Sequence, residues 1–452
     1  MAVAIDQHHG FKHFSRSQRC KLQSFGHIDP NIVEVGLTST FSHSLELAVA
    51  VQADNIHRSV STPCLPLSGE DLSSNHPRVE IVRGSGAPVH ALVVEVAIAM
   101  ASGVQPTPLP SGLGGAYVFP NQSGNNIAVA KPIDEEPLAF NNPKGLGGHM
   151  LGQPGLKKSI RIGETGIREL GAYLLDHGGM AGVPPTALVQ FSHAAFFVST
   201  ATSATTDSTE VHPHMPKIAS LQRFVGHGFD AGELGPSFFS VDSVHHIGIL
   251  DIRILNLDRH AGNMLVMKHE HNSTSYVHQG VFDLVPIDHG FCLPEWLDDP
   301  YFEWLHWPQA SIPFSENELE YISKLDPFKD AEILRTEIPL LRESSIRVLI
   351  VCTIFLKHAA AAGLCLADIG QMMTRELCGG EESASEMENI CLQVKARVSN
   401  NERCKEETEG GSICDETGGI SFGDLNQGEW ESFLEIFNDL LHAVFEEKKC
   451  KN

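Results

Sequence analysis

The chain has 452 residues, which is enough for two or three compact units with hydrophobic cores of their own. Its formal net charge of −24 argues against nucleic-acid binding, because non-specific binding to nucleic acid needs a basic surface. Ten cysteines without a CxxC pair and 24 histidines without HExxH spacing favour reduced thiols and argue against a dedicated zinc site.

The N-terminal part of the chain carries few structural signals. Residues 1–85 are polar with only brief apolar runs, so we predict a largely disordered region. The first residues lack the apolar core of a signal peptide, and the longest apolar run, at 348–356, is too short to span the ~30 Å of hydrocarbon in a bilayer. The sequence therefore predicts a cytoplasmic protein without a transmembrane segment.

The predicted folded domain, residues 86–378, opens with an apolar run at 89–103 that is either a buried helix or a buried strand. A glycine-rich hairpin follows at 111–132. Its glycines let bare backbone approach phosphate oxygens, and Lys131 lies on the second strand. A strand rather than a helix follows the glycines, which argues against a dinucleotide fingerprint. The hairpin either covers ATP, with Lys131 on the phosphates, or is an ordinary surface hairpin.

A basic cluster and an amphipathic helix come next. The cluster consists of Lys157, Lys158 and Arg161. It is either a solvated face or a contact for anionic lipid. The helical pattern at 163–179 carries Glu169, the partner that a kinase needs for Lys131, although most glutamates on such helices are simply exposed. A Ser/Thr-rich stretch at 199–210 predicts a mobile insertion, before a strand that leads to a hinge at 222–225.

The chemistry is concentrated in two runs, DIRILNLDRHAGNMLV at 251–266 and VFDLVPIDHGFCLPE at 281–295. The first places Asp258 and Asn263 in a tight turn before a strand, and the second places Asp288 after another apolar run. In phosphoryl transfer one acidic residue meets the acceptor hydroxyl, while an asparagine and a second aspartate hold Mg²⁺ on the phosphates. An acidic turn beside an unrelated strand end is the alternative interpretation of these residues alone.

The C-terminal part combines aromatic, apolar and acidic segments. The aromatic run at 294–315 predicts packing in the lower lobe, with contact to lipid as the alternative. The apolar run at 346–373 predicts a buried core helix and a successor. Residues 379–423 are acidic and rich in Gly and Ser, which predicts a flexible linker. Helical spacing of apolar residues in 424–452 predicts an amphipathic helix that docks on the core.

Taken together, these segments resemble the catalytic domain of type II phosphatidylinositol 4-kinases, and in particular the plant gamma class. The resemblance covers residues 111–378 and is carried, in the family order, by AVAKPIDEEPLAFNNPKG, LDRHAGNMLV, PIDHGFCLPE and WPQASIPFS. It implies an α+β, two-lobed protein-kinase-like fold. The N-lobe would hold an antiparallel sheet with a helix, and the C-lobe would be mostly helical.

The same resemblance implies a role for each of several groups of residues. The ATP loop comprises Pro110, Ser111, Gly112, Leu113, Gly114, Gly115 and Ala116, together with Lys131 and its partner Glu169. The adenine hinge comprises Gln222, Arg223, Phe224 and Val225. The lipid-substrate region comprises Glu136, Pro137 and Leu138. The catalytic loop comprises Asp258, Arg259, His260 and Asn263, with Asn263 and Asp288 as metal ligands. The activation segment is 286–306.

The reaction implied by the resemblance is transfer of phosphate from ATP, with Mg²⁺ or alternatively Mn²⁺, to the 4-position of membrane phosphatidylinositol by a peripherally bound enzyme. A Ser/Thr protein kinase acting on protein substrates through the same ATP site, and a non-catalytic scaffold, stay as alternatives. The catalytic base is left open between Asp258 and His260, since DRHAGN is similar to the broader phosphoinositide 3-kinase pattern. GLGGHMLGQPG replaces the cysteine-rich palmitoylation motif of the animal enzymes, so constitutive lipid anchoring is not expected.

Overall fold

The computed structural model describes residues 77–192, 194–197, 216–268, 282–378, 381–403 and 419–451. The predictions for residues 1–76, for the Ser/Thr-rich stretch and for residues 404–418 of the linker lie outside these ranges. Within them, the chain forms an N-terminal lobe on an antiparallel sheet and a mostly helical C-terminal lobe. The predicted α+β, two-lobed fold is confirmed.

The N-terminal lobe is a six-stranded sheet. Its strands in chain order are β1 (Arg78–Arg83), β2 (Thr107–Pro108), β3 (Tyr117–Pro120), β4 (Asn126–Pro132), β5 (Thr186–Ser192) and β6 (Lys217–Arg223). They lie in the order β1-β5-β6-β4-β3-β2, so β4, which carries Lys131, has a hydrogen-bonded neighbour on each side. The prediction of disorder is wrong for β1, because Val79 and Ile81 pack on the core of this lobe. Two alternating apolar residues are too short a pattern to recognise in the sequence.

Two helices cover this sheet. The apolar run at 89–103 forms helix α1 (Ala87–Ala101), with a proline in its first turn and Gly103, at a φ of 85°, just beyond its end. Helix α1 buries Val89, Leu92 and Val96 in the core of the lobe. Helix α2 (Thr165–Leu175) packs on β5 and β6 and carries Glu169.

The C-terminal lobe is built around one long apolar helix. Its helices are α3 (Val241–Arg253), α4 (Glu316–Lys324), α5 (Pro327–Glu337), α6 (Glu343–Ala361), α7 (Leu366–Met373), α8 (Glu386–Arg403) and α9 (Gln427–Lys451). Helix α6 contacts α3, α4, α5 and α9. In the described part of the chain it is the one helix long and apolar enough to cross a membrane, but 78% of its apolar window is buried inside the protein. The predicted buried core helix is confirmed.

Helix α8 contradicts the predicted flexible linker at 379–423. Its buried residues recur at helical spacing and are Met387, Ile390, Cys391, Val394 and Val398. The acidic residues between them dominate the composition and hide this pattern. Four short strands also lie in this part of the chain: β10 (Trp296–Leu297), β11 (Glu376–Cys378), β12 (Glu381–Ser383) and β13 (Ile420–Ser421). Strand β13 precedes α9, whose Phe433, Phe437 and Leu441 are fully buried. Helix α9 therefore packs on the core of the C-terminal lobe.

A small antiparallel sheet brings the two predicted catalytic runs together. It contains β7 (Phe229–Asp230), β8 (Met264–Lys268) and β9 (Phe282–Pro286). Met264 lies opposite Pro286, so the residue before β8 meets the residue after β9. The backbone N–H of Ile287 accordingly donates to the carbonyl of Asn263 at 3.0 Å.

Candidate active site

Lys131 lies at the centre of a charged cluster formed by three separate elements. Its Nζ is 2.6 Å from Oε1 of Glu169 on α2 and 2.8 Å from Oδ1 of Asp288, which follows β9. The other carboxylate oxygen of Glu169 accepts a hydrogen bond from the backbone N–H of His289 at 3.0 Å. The predicted Lys131–Glu169 pair is therefore present, and it is joined directly to the segment that carries Asp288.

Burial and ion pairing act in opposite directions on these groups. Burial lowers the pKa of Lys131, but the Asp288 and Glu169 carboxylates outweigh it and raise that pKa above its ordinary value. Burial likewise raises the pKa of Asp288, yet the Lys131 ammonium holds it well below its usual range. Both groups are therefore charged at neutral pH. Asp288 also has a φ of 56°, a strained conformation for a residue that is not glycine.

The catalytic loop connects α3 to β8. The side-chain amide of Asn263 donates to the backbone carbonyl of Asp258 at 2.8 Å, which closes the turn between them. His260 lies in the same turn and, like Asp258, is half-buried. Burial raises the pKa of Asp258, as does the nearby charge of Asp288, while Lys157 lowers it. The loop thus brings the predicted acid close enough to Asp288 for their charges to interact.

Arg259 ties this loop to the segment after β9. Its guanidinium is fully buried, with Nε 3.0 Å from Oδ2 of Asp251 on α3. Its Nη1 donates to the backbone carbonyls of Asn263 and Ile287, at 2.6 and 2.9 Å. The structure therefore does not place Arg259 at the open site, contrary to the prediction that it is catalytic. It positions the two segments that carry the reactive residues.

Asp251 is the acceptor at the centre of this scaffold, and the sequence interpretation did not single it out. Besides Arg259, it accepts hydrogen bonds from the side chains of Asn256 and Trp304, at 2.9 and 3.0 Å. Asn256 in turn accepts the backbone N–H of Asp258 at 3.0 Å. The sequence did offer one signal for this role, the carboxylate of Asp251 within the apolar run ILDIRIL. A charge in such a run is expected to be buried, and a buried charge needs hydrogen-bonding or charged partners.

The glycine loop rests on the residues that follow β4. The residues Pro110, Ser111, Gly112, Leu113, Gly114, Gly115 and Ala116 lie between β2 and β3. The backbone N–H of Gly115 donates to the carbonyl of Glu135 at 2.8 Å, and a Cβ on Gly115 would overlap the Glu135 side chain. The side-chain amide of Asn142 donates to the carbonyl of Leu113 at 2.8 Å. The loop is therefore pinned at two points, one of which only glycine fits.

A second buried ionic cluster, not predicted from the sequence, supports this loop. The fully buried carboxylate of Glu135 accepts a hydrogen bond from the Tyr117 hydroxyl at 2.6 Å and contacts Nζ of Lys217. Nζ of Lys217 is also 3.2 Å from Asp134 and donates to the carbonyl of Phe197 at 2.6 Å. Every charge in the cluster has an opposite partner, as buried charges require.

Glu136, Pro137 and Leu138, predicted to bind lipid, follow directly on this cluster. Both carboxylate oxygens of Glu136 accept backbone N–H groups, from Gly163 at 2.7 Å and Thr165 at 3.0 Å. Burial raises the pKa of Glu136 to about 7. The structure therefore commits the Glu136 carboxylate to the start of α2, where it helps to position the helix that carries Glu169.

The predicted hinge lies at the end of β6. Its residues are Gln222, Arg223, Phe224 and Val225. The amide of Gln222 donates to the hydroxyl of Thr186 at 2.9 Å, and the guanidinium of Arg223 pairs with Glu95 on α1 at 2.6 Å. These two side chains are committed to the sheet and to α1. Their contribution to nucleotide binding would therefore come from the backbone.

The aromatic segment after Asp288 packs into the C-terminal lobe. Trp304, Trp307 and Phe302 are buried, and the rings of Phe302 and Trp304 stack with centroids 4.6 Å apart. Tyr301 is half exposed. Packing in the lower lobe is confirmed for these buried rings.

Sequence comparison places these features in a known family. The profile described as phosphatidylinositol 3- and 4-kinase matches residues 112–369. The chain is 60% identical over 408 residues to phosphatidylinositol 4-kinase gamma 1 of Arabidopsis thaliana, covering 88% of this chain and 69% of that protein. It is 60% identical over 406 residues to phosphatidylinositol 4-kinase gamma 8 of the same plant, covering 88% and 72%. With its two-lobed fold and its Lys131–Glu169–Asp288 cluster, the chain belongs to the phosphatidylinositol 3- and 4-kinase family.

Proposed function

We propose that this chain is a lipid kinase that transfers the γ-phosphoryl group of ATP to the 4-hydroxyl of phosphatidylinositol. The Lys131–Glu169–Asp288 cluster carries the proposal, because a lysine held by a helix glutamate beside an aspartate is the arrangement that phosphoryl transfer uses. The names of the similar Arabidopsis proteins supply the acceptor. A Ser/Thr protein kinase and a non-catalytic scaffold find no support among these relatives.

Each residue of the site has a separate task in this reaction. Lys131, oriented by Glu169, neutralises the α and β phosphates of ATP, while the glycine loop covers the phosphates with backbone. Asp258 orients the acceptor hydroxyl and takes its proton, with His260 assisting. Arg259 holds the loop in register with Asp288.

Asp288 and Asn263 are the residues that would hold Mg²⁺, or Mn²⁺ in its place. Both offer oxygen atoms, which are the ligands that these cations prefer. A bound ion would neutralise charge on the β and γ phosphates. No group of three or more His, Cys, Asp or Glu side chains in the described ranges is arranged to hold a metal. Mg²⁺ usually takes one or two carboxylates and completes its shell with phosphates and water, so the pair fits.

The choice of base can be tested by comparing Asp258→Asn with His260→Gln. We expect kcat to fall about 10³-fold in Asp258→Asn and less than about tenfold in His260→Gln, within the range for loss of a general base. Burial raises the pKa of Asp258, so the ionised fraction, and with it kcat/KM, falls as the pH is lowered toward that raised pKa. This acidic limb should persist in His260→Gln and vanish in Asp258→Asn. The reverse pattern would assign the base to His260.

An exposed apolar and basic surface, the 146–158 surface, borders the catalytic loop. Leu146, Met150 and Leu156 are each about half exposed, and Lys158 is exposed beside them. Lys157 is close enough to Asp258 to lower the pKa of that aspartate. This surface would face an anionic membrane and present the acceptor to the loop. Arg161 of the predicted basic cluster is paired with Glu295 at 2.9 Å instead.

The double variant Lys157→Ala/Lys158→Ala tests this surface. Each lysine near an anionic membrane contributes about 1 kcal/mol, so binding to phosphatidylinositol-containing vesicles should weaken by about tenfold or more in a flotation assay. The matched control is Lys324→Ala/Lys329→Ala, which removes two exposed lysines from α4 and α5. Equal losses in both double variants would argue against a specific membrane face.

The position of phosphorylation is tested with two lipids. The purified chain, γ-labelled ATP and Mg²⁺ are incubated with vesicles containing phosphatidylinositol or its 4-deoxy analogue. We expect label in the first lipid only. Equal labelling of both lipids would show that another hydroxyl is the acceptor.

A further inference from the structure

Five residues of the activation segment, 295–299, are anchored from both sides. On the side of the N-terminal lobe, the backbone N–H of Glu295 donates to the carbonyl of Ser159 at 2.9 Å. The Ser159 hydroxyl donates to Asp298 at 2.8 Å. Arg161 pairs with the Glu295 carboxylate at 2.9 Å, and Arg342, which directly precedes α6 in the C-terminal lobe, pairs with it at 2.8 Å. The contacts with Ser159 and Arg161 connect 295–299 to the loop that leads into α2, the helix of Glu169.

The C-terminal part of the chain holds the other side. Trp296 and Leu297 form strand β10, which pairs with β13 in an antiparallel register that places Trp296 opposite Ser421. A Cβ built on Gly419 would overlap the indole of Trp296, so the backbone before β13 lies flush against that ring. Asp299 accepts the backbone N–H of Arg375 at 2.7 Å.

Strand β13, which pairs with β10, is itself held by contacts with α6, α8 and α9. Arg347 on α6 donates to the carbonyls of Phe422 and Leu425, both at 2.7 Å, and its guanidinium lies 4.9 Å from the ring centre of Trp430 on α9. Lys395 on α8 donates to the carbonyl of Ser421 at 2.6 Å. Residues 419–425 are thus held rigidly against the core.

We infer that residues 419–425, backed by α8 and α9, are a positioning element that fixes the activation segment for its acceptor. These residues lie beyond 112–369, the stretch that the family profile matches. The inference rests on the proposed lipid-kinase function. Of the groups proposed above to meet Mg²⁺-ATP, Lys131, Glu169 and the glycine loop belong to the N-terminal lobe, while Arg259 holds the backbone at Asn263 and next to Asp288. Strand β13 pairs instead with residues 296–297, beyond Asp288. Loss of the contact should therefore affect the acceptor and leave ATP binding unchanged.

Gly419→Ala tests the element, with Gly428→Ala as the matched control. A Cβ on Gly428 meets nothing closer than 3.5 Å, and this glycine is exposed. For Gly419→Ala we expect kcat/KM for phosphatidylinositol vesicles to fall about tenfold, or ~1.4 kcal/mol of transition-state stabilisation. The Kd for Mg²⁺-ATP should stay unchanged. Hydrogen exchange of the backbone amides in 295–299 should accelerate, while Gly428→Ala should match the unmodified chain in all three measurements.

Trp296→Ala removes the indole that lies against Gly419. Together with Gly419→Ala and the double variant Gly419→Ala/Trp296→Ala, it forms a double-mutant cycle. The overlap needs both the added methyl group and the indole, so the double variant should be no worse than Trp296→Ala alone. Unchanged exchange in 295–299 in both single variants, or strictly additive losses, would overturn the inference. Hydrogen exchange does not depend on catalysis. If the unmodified chain fails to phosphorylate the lipid, the proposed function is refuted. The hydrogen exchange of 295–299 would still test whether residues 419–425 position the activation segment.

Discussion

Replacing Asp288 by asparagine should lower kcat for lipid phosphorylation by about 10³-fold, as expected when a preorganised charge is removed from a reaction centre. Asp288 is the partner of Lys131 and the proposed carboxylate ligand of the metal. The fold should persist, because Lys131 keeps its 2.6 Å contact with Glu169 and is partly exposed. The measurements are steady-state kinetics with phosphatidylinositol vesicles and thermal unfolding.

The matched control for this variant is Asp242→Asn, an exposed aspartate in the first turn of α3. It makes the same chemical change away from the charged cluster and should retain activity. Unchanged γ-phosphoryl transfer by Asp288→Asn would remove Asp288 from the metal site. A large loss of thermal stability in Asp288→Asn would instead assign it a structural role.

The second large effect is on stability. Asp251→Ala should lower the free energy of unfolding by about 3–5 kcal/mol, the range for breaking a buried ion pair by removing one partner. Asp251 and Arg259 are both fully buried, and Oδ2 of Asp251 lies 3.0 Å from Nε of Arg259. The substitution also removes the acceptor of the hydrogen bonds from Asn256 and Trp304. Denaturant titration, followed by tryptophan fluorescence and circular dichroism, measures the change.

The control for Asp251→Ala is Glu320→Ala, which breaks the exposed pair with Lys324 on α4. Solvent screens that pair, so its loss should leave the denaturation midpoint unchanged. A similar, small change in both variants would mean that the Arg259 scaffold does not hold the catalytic loop.

The parts of the site that were predictable from the sequence have their chemistry encoded in local spacing. Asp258 and Asn263 share one turn, and Asp288 follows an apolar strand. The position of Lys131 on a strand was predicted from the alternation of apolar residues that follows the glycine-rich loop. The pairing of Lys131 with Glu169 followed from what a kinase requires of its lysine, and the structure confirms the contact.

The supporting residues were not predictable, because their partners are distant in sequence. The contact between Asp251 and Trp304 spans 53 residues, and that between Glu135 and Lys217 spans 82. Neither separation leaves a periodic signal. Asp251 left one trace in the sequence, which is a carboxylate within the apolar run ILDIRIL.

The prediction of a flexible linker failed at α8 because composition was used where burial decides. Helix α8 has an acidic surface that resembles a linker in composition, although its apolar residues are buried at helical spacing. Glu136 belongs to the region that the family resemblance assigns to the lipid, and this assignment stays a prediction; its structural role, in which the carboxylate accepts two backbone N–H groups at the start of α2, was not predicted. In both cases the deciding contacts are with elements that the local sequence does not reveal.

The most direct measurement is an acceptor assay on the purified chain. It uses γ-labelled ATP and Mg²⁺, with phosphatidylinositol vesicles in one arm and a mixture of protein substrates in the other. We expect label in the lipid, little in the proteins, and neither product with Asp258→Asn or Asp288→Asn. Label that enters the proteins in preference to the lipid, or lipid labelling that survives both substitutions, would contradict the account.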